Sequence, residues 1–298
     1  MTSELLAQII AGMPADFAHP DDDYLTTRAK MAPFHGHPLS ERTTTRPVDV
    51  GGVPGGWLTR PDSDPSRGAV LFFHGGAFVS CDLAAYQFYA EYVAEWIGVP
   101  VLTVDYRLAP EHAYPVALDD CAAAYRGLLD QGHPPERVIF LGDSCGGGLA
   151  LATALRARNA GLPQPAGAVS LSGWVDLDTT GYPEAGPAGR DPFITEGFLR
   201  ARARDYLGCV DPHHPEASPA RGDLAGLPPV LLQVGETDLC RLDAERMARR
   251  AGDAGVDARI DVVAGGVHGV QGLVNLGVPE AVSAWGSVKQ FTQQLLDR

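Results

Sequence analysis

Basic residues are scarce in this chain: 23 lysines and arginines stand against 37 aspartates and glutamates, a formal charge of −14. A surface this acidic repels phosphate, which argues against nucleic acid or an anionic membrane as partner. Cysteine is sparse too. Cys81, Cys121, Cys145, Cys209 and Cys240 are scattered and odd in number, with no C-x-x-C and no Cys/His spacing of a zinc site. They read as free thiols of a reducing compartment. No apolar run approaches the length of a membrane span. Glu4, with no basic residue before the first apolar stretch, does not read as a signal peptide. The expectation is a soluble, cytoplasmic protein. Asp21-Asp22-Asp23 is the one run of like charge and reads as solvated; internal repeats and low-complexity segments are missing.

What is present is a core. An apolar fraction of 45% over 298 residues suffices for one large α/β domain or two small ones. Residues 1–45 read as two short helices and a loop: Leu5, Leu6, Ile9, Ile10 and Met13 recur at helical spacing, and Asp22 or Asp23 caps a second helix running to about Met31. His35 and His37, two imidazoles with no third ligand nearby, read as loop residues, so no metal is expected. Strands are predicted at 46–50 and 57–60 around the Gly51-Gly52 turn, then at 68–73, 101–104, 138–141, 168–172, 229–235 and 258–263. Helices are predicted at 84–97, which is rich in aromatics, and at 116–129, 145–160, 242–254 and 281–296. Repeated βα units with apolar strands imply a mostly parallel sheet covered on both faces. The stretch 174–227 breaks the rhythm. It holds six prolines between Pro183 and Pro219 and one helix, 197–207; so long an excursion inside a compact domain suggests a lid.

One stretch organises the rest. Gly142-Asp143-Ser144-Cys145-Gly146 lies between an apolar β-branched run and a helical pattern, the G-x-S-x-G of a nucleophile elbow. Glycines on both sides remove side chains that would clash with a serine on a sharp strand-to-helix turn. The following helix aims unpaired N–H groups at the charge that develops there. A nucleophilic serine needs a base, an orienter for that base and a stabiliser for the oxyanion. In elbow enzymes the partners follow in the order serine, acid, histidine. His268 lies in a loop after a late strand and fits the base; His213 and His214, in the proline-rich excursion, fit less well. Asp238, just after the strand at 229–235, fits the acid. Glu236 and Asp243 are rivals, but Asp243 falls inside the next helix, where solvent or the turn would occupy it. His74-Gly75-Gly76 follows a buried strand and supplies a glycine loop able to approach a substrate oxygen. Gly75 and Gly76, with the N–H of Cys145, are the expected oxyanion donors. Phe78, Trp174, Phe193 and Val267 flank these loops and are candidate pocket residues.

His-Gly-Gly paired with Gly-Asp-Ser-x-Gly-Gly resembles the hormone-sensitive-lipase-like branch of the α/β-hydrolases. The block Asp105-Tyr106-Arg107-Leu108-Ala109-Pro110-Glu111-His112-Ala113-Tyr114-Pro115 resembles that branch's structural motif and strengthens the likeness. The resemblance covers most of residues 65–275. It implies the α/β-hydrolase fold with an eight-stranded, mostly parallel sheet, a catalytic domain over 46–298, and a helical cap built from residues 1–45 and 174–227. It implies a serine esterase without cofactor, acting on short to medium acyl chains or lactones, and a homodimer formed through the last strand, Ala258–Val263. An acyltransferase on the same acyl-enzyme is the alternative. A ligand receptor is disfavoured because His268 is in place. Three residues depart from the branch: Ala77 where a third glycine is frequent, Cys145 where alanine is usual, and Gly148 where asparagine is common. Cys145 reads as a small buried hydrophobe. Alanine at 77 carries a cost if that position needs a positive φ.

Overall fold

The computed structural model describes residues 2–14, 16–34, 38–180, 182 and 191–298. His35 and His37 lie outside the described residues, as do Pro183 and Pro187 of the excursion. Helices α1 (Glu4–Gly12) and α2 (Tyr24–Met31) precede strands β1 (Thr44–Val50) and β2 (Val53–Thr59). The alternating part follows: β3 (Ala69–Phe73), α3 (Leu83–Ile97), β4 (Val101–Val104), α4 (Val116–Asp130), β5 (Val138–Asp143), α5 (Cys145–Asn159) and β6 (Gly167–Leu171). After the excursion, which carries α6 (Glu196–Leu207), come β7 (Val230–Gly235), α7 (Arg241–Asp253), β8 (Ala258–Val263) and α8 (Pro279–Leu296). The eight strands form one sheet in the order β1-β2-β4-β3-β5-β6-β7-β8. β2 runs antiparallel to both neighbours, and all pairs from β4 to β8 are parallel.

Side-chain alternation divides the core. Val70 and Phe72 of β3 face the layer of α3 and α8, with Ile97 and Trp285. Leu71 and Phe73 face the opposite layer, with Leu118 of α4 and Leu151 of α5. The central strands are buried on both faces, which is why each reads as an unbroken apolar run. Local signals set the ends. Asp23 accepts the Thr26 N–H at the start of α2, Asp82 accepts the Ala85 N–H at the start of α3, and Gly98 closes α3 in the left-handed region. β2 begins four residues before the expected start. Gly55 and Gly56 look like turn residues but pair with Val104 and Thr103 of β4. A Cβ on Gly55 would lie 2.9 Å from the Thr103 carbonyl oxygen.

The N-terminal arm is fastened at both its helices. Leu6 of α1 is fully buried with Val267, Val270 and Val278, and the Ser3 hydroxyl donates to Glu280 at 2.8 Å. Arg28 of α2 makes a two-pronged ion pair with Glu111 at 2.8 and 2.7 Å and donates to the Val79 carbonyl at 2.6 Å. Buried Arg202 of α6 donates to the Thr27 hydroxyl and to the Asp22 carbonyl, so α2 and α6 lie side by side. Among the described residues no helix is long and apolar enough to cross a membrane.

Candidate active site

The elbow is strained where the sequence pattern requires it. Ser144 has φ 51° and ψ −123°, between β5 and α5. A Cβ on Gly142 would sit 2.2 Å from the Gly146 carbonyl oxygen, and one on Gly146 would sit 2.0 Å from that of Phe73. The Ser144 N–H donates to the Leu171 carbonyl, and its own carbonyl accepts the Trp174 N–H. The serine is thereby held through both its backbone groups by the end of β6 and the turn that follows it.

His268 comes to this serine from the loop after β8. Its Nδ1 lies 3.0 Å from Oδ1 of Asp238 and its Nε2 lies 3.0 Å from Oγ of Ser144. A proton on Nδ1, donated to the carboxylate, leaves Nε2 to accept from the hydroxyl. Asp238 is buried at the end of β7, and its Oδ1 also accepts the Cys240 N–H. Burial would raise the Asp238 pKa; the His268 charge and hydrogen bond outweigh it and hold the carboxylate low. Burial would likewise lower His268, but Asp238, then Asp191 and Asp143, raise it to about 9. The backbone N–H of Gly269 donates to the buried hydroxyl of Ser172, at φ 47°, which fixes the histidine loop against the end of β6. The two rivals are accounted for. Glu236 accepts the Gly265 N–H and braces the same loop. Asp243 corrects the expectation of solvent: it is 2% exposed, bonded to Tyr182 and Arg246, because the excursion, through Tyr182, covers that side of α7. His213 pairs with Asp178 and His214 with Tyr114, away from the serine.

The glycine loop is the second strained element. Gly76, Ala77 and Phe78 have φ of 113°, 54° and 66° in succession. Ala77 therefore does occupy a left-handed position, at a cost of roughly 1–2 kcal/mol. Gly76 and Ala77 face the cleft beside Ser144. Gly75 lies behind them, where a Cβ would come within 2.5 Å of the Tyr86 hydroxyl and 2.8 Å of Asp143. Cys145 is buried as expected but is more than a small hydrophobe: its sulfur accepts the Phe78 N–H at 3.2 Å and so anchors the loop. Tyr106, from the family-like block, stacks on His74 at 4.1 Å and donates to its carbonyl at 2.7 Å. Burial lowers His74 to about 4, so it stays neutral.

Above the serine is a cleft of about 350 Å³. Its walls are Met13 and Phe17 of the arm, Tyr86 and Tyr89 of α3, and Phe193 and Phe198 of the excursion. Of the four pocket candidates only Phe193 lines it. Phe78 stacks on Tyr206 at 3.8 Å and against Trp174 at 5.7 Å, both buried, while Val267 packs with Leu6. These three flank catalytic loops but point into the core. The tyrosines of α3 and the buried carboxylate Asp191 were not among the expected site residues; the aromatic density of α3 was the available signal. A wider groove of about 890 Å³ opens beside Arg28, Arg107, Glu111 and Asp120, but those charges already pair with one another. Asp238, Cys240 and His268 bring ligand-type atoms within 4.8 Å of each other. They do not suit a metal: His268 and Asp238 are committed to each other, and burial pushes the Cys240 thiol up.

Comparison with known proteins agrees with this fold. Residues 70–272 match the model of a family described as having the alpha/beta hydrolase fold. An acetyl-hydrolase of Streptomyces hygroscopicus is 40% identical over 208 residues, 70% of this chain and 69% of that protein. An esterase of Acinetobacter venetianus is 32% identical over 259 residues, 87% of this chain and 84% of its own. Among solved structures, an esterase from the bacterial hormone-sensitive lipase family superposes with a TM-score of 0.88 at 34% identity, over 99% of both chains. An esterase/lipase from an uncultured bacterium superposes with a TM-score of 0.91 at 29% identity, over 99% of this chain and 100% of the other.

Proposed function

This chain belongs to the alpha/beta hydrolase fold family, as a carboxylesterase of the hormone-sensitive-lipase branch, and from that premise we propose that Ser144, His268 and Asp238 carry out the hydrolysis. Ser144 Oγ attacks the ester carbonyl carbon as His268 Nε2 takes its proton. Asp238 keeps the imidazole in the required tautomer and stabilises the imidazolium. The N–H groups of Gly76 and Cys145 receive the oxyanion, each donor being worth about 3 kcal/mol in the transition state. Gly75, set back against Asp143, shapes the loop. His268 then protonates the departing alcohol, and water repeats the cycle on the acyl-enzyme. The observation that carries this reading is the pair of 3.0 Å contacts made by the two nitrogens of His268.

The substrates are small esters. The finer reading is an uncharged ester with a short to medium acyl chain, or a lactone of similar size. The cleft supports it: its walls are aromatic and aliphatic, and Lys30, a cation on the wall, is held by Asp22 at 2.7 Å. Residues 1–45 and 174–227 form the cap over a catalytic domain of 46–298, because both segments furnish walls of the cleft. The free state of all five cysteines favours a reducing, cytoplasmic setting. β8 is an edge strand, and Ile260 on it is 39% exposed, which favours a homodimer formed through Ala258–Val263. A fluorophosphonate probe and a series of p-nitrophenyl esters and lactones test the core of the proposal. Wild type should label and turn over the shorter esters fastest, and Ser144→Ala should do neither. Equal labelling of both proteins would defeat the assignment.

A further inference from the structure

Asp191 lies at the point where the excursion returns to the acid loop. It is 4% exposed, and among the described residues its hydrogen bonds come from backbone N–H groups. Oδ1 accepts from Phe193 at 2.8 Å and from Ile194 at 3.2 Å, and both residues line the cleft. Oδ2 accepts from Leu239 at 3.2 Å, the residue that follows Asp238. The geometry points to Asp191 as a positioning residue for the hydrolysis: one carboxylate clamps the cleft wall at Phe193–Ile194 to the loop bearing Asp238, and sets a second negative charge behind His268. This rests on the reading of Ser144, His268 and Asp238 as the triad.

Two features separate this from an ordinary turn. A turn at 193–194 needs one acceptor oxygen, which a neutral asparagine supplies. Here a carboxylate is buried, and among the described residues it has no lysine or arginine ion-pair partner, an expensive arrangement unless some other positive charge benefits. The charge that forms nearby is the imidazolium of His268. The groups facing it come from three elements: Asp238 after β7, Asp191 from the excursion, and Asp143 at the end of β5. The Cys240 thiol, just before α7, faces Asp238 and Asp191 and stays protonated in their presence. Burial and the neighbouring Asp238 raise Asp191's own pKa, as expected for a second carboxylate behind one imidazole.

Two substitutions, one that removes the charge and one that keeps it, test the role. Asp191→Asn keeps an acceptor for Phe193 and Ile194 but loses the charge and the hold on Leu239. Asp191→Glu keeps the charge and displaces the turn. For Asp191→Asn, kcat should fall about tenfold, the scale of a small misplacement, with KM little changed. The acid limb of kcat/KM should move down by about one pH unit, because the imidazolium has lost a stabilising charge. For Asp191→Glu, KM should rise severalfold while the limb stays put. A purely structural residue would shift kcat or KM along with the melting temperature and leave the limb unmoved in both variants. An unmoved limb in Asp191→Asn, with Ser144→Ala inactive, overturns the inference and spares the triad; an active Ser144→Ala overturns the triad itself. If Asp191→Asn does not fold, Asp191→Ser, which also removes the charge, decides: an acid limb lowered by about one pH unit supports the inference, and an unmoved limb refutes it.

Discussion

Replacing Gly148 with alanine tests how tightly the elbow is built. In a helix interior the change by itself should help, by about 1 kcal/mol. Here the new Cβ would stand 2.3 Å from the Trp174 carbonyl oxygen, with the carbonyl carbon at 3.3 Å. Both partners are backbone, so no rotamer change relieves the contact; α5 and the chain after β6 must separate by about 1 Å to reach ordinary contact distances. Overpacking of this kind costs roughly 1–3 kcal/mol, and a backbone-on-backbone clash belongs at the top of that range. The net loss is about 2 kcal/mol. At about 2 °C per kcal/mol for a chain of this size, the melting temperature should fall about 4 °C. Activity should suffer as well, because the Trp174 N–H that moves with that carbonyl also holds the Ser144 carbonyl at 2.9 Å. Asparagine, the residue common here in the branch, brings the same Cβ and more. Gly286 in α8 is the control: it is exposed, with nothing within 4 Å of its Cβ position. Gly286→Ala should therefore gain about 1 kcal/mol. Calorimetry and p-nitrophenyl ester turnover on both variants give the answer. A Gly148→Ala protein that melts at or above wild type with full activity would refute the packing argument.

His268 must be neutral to act as base, and its neighbours raise its pKa to about 9; kcat/KM should therefore climb as pH rises toward 9, and a plateau already reached by the ordinary histidine value, near pH 6.5, would contradict the arrangement. Ser172→Ala removes the acceptor of the Gly269 N–H inside the protein, a loss of roughly 1–3 kcal/mol. It should lower kcat more than it changes KM, as steady-state kinetics on esters of one acyl length will show. Tyr106→Phe leaves the buried His74 carbonyl without its 2.7 Å donor. It should cost a similar amount of stability and slow turnover through a loosened glycine loop, whereas turnover and melting unchanged together would remove Tyr106 from that role.

Much of the site was legible along the chain because its constraints are local. Ser144 lies between two glycines, Gly142 and Gly146, at which a Cβ would stand only 2.2 and 2.0 Å from a backbone oxygen, and that requirement leaves a mark at fixed spacing. Strand β8 matched to the residue because its ends are set by its own flanking turns. Pocket walls leave no such mark. Phe78, Trp174 and Val267 are adjacent in sequence to the elements that form the site, but which way a loop side chain turns depends on the layer it meets. For Phe78 that layer is Tyr206, from an excursion more than a hundred residues later. Asp243 reads as exposed in the sequence because helical position alone does not say which side of α7 the excursion covers.

The linear order of residues by itself determined the fold class and the strained serine turn, and singled out the residues proposed as base and acid. Buried strands, glycine-bracketed elbows and the serine–acid–histidine order are all short-range or ordinal properties. Only the folded chain decided how far apart those groups stand, that Cys145 fastens the glycine loop, that Gly148 has no room for asparagine, and that Asp191 joins the cleft wall to the acid. Each of these is a contact between segments far apart in the chain. Such contacts are chosen by packing density and by the need to pair every buried polar atom, and those conditions exist only once the layers have closed on one another.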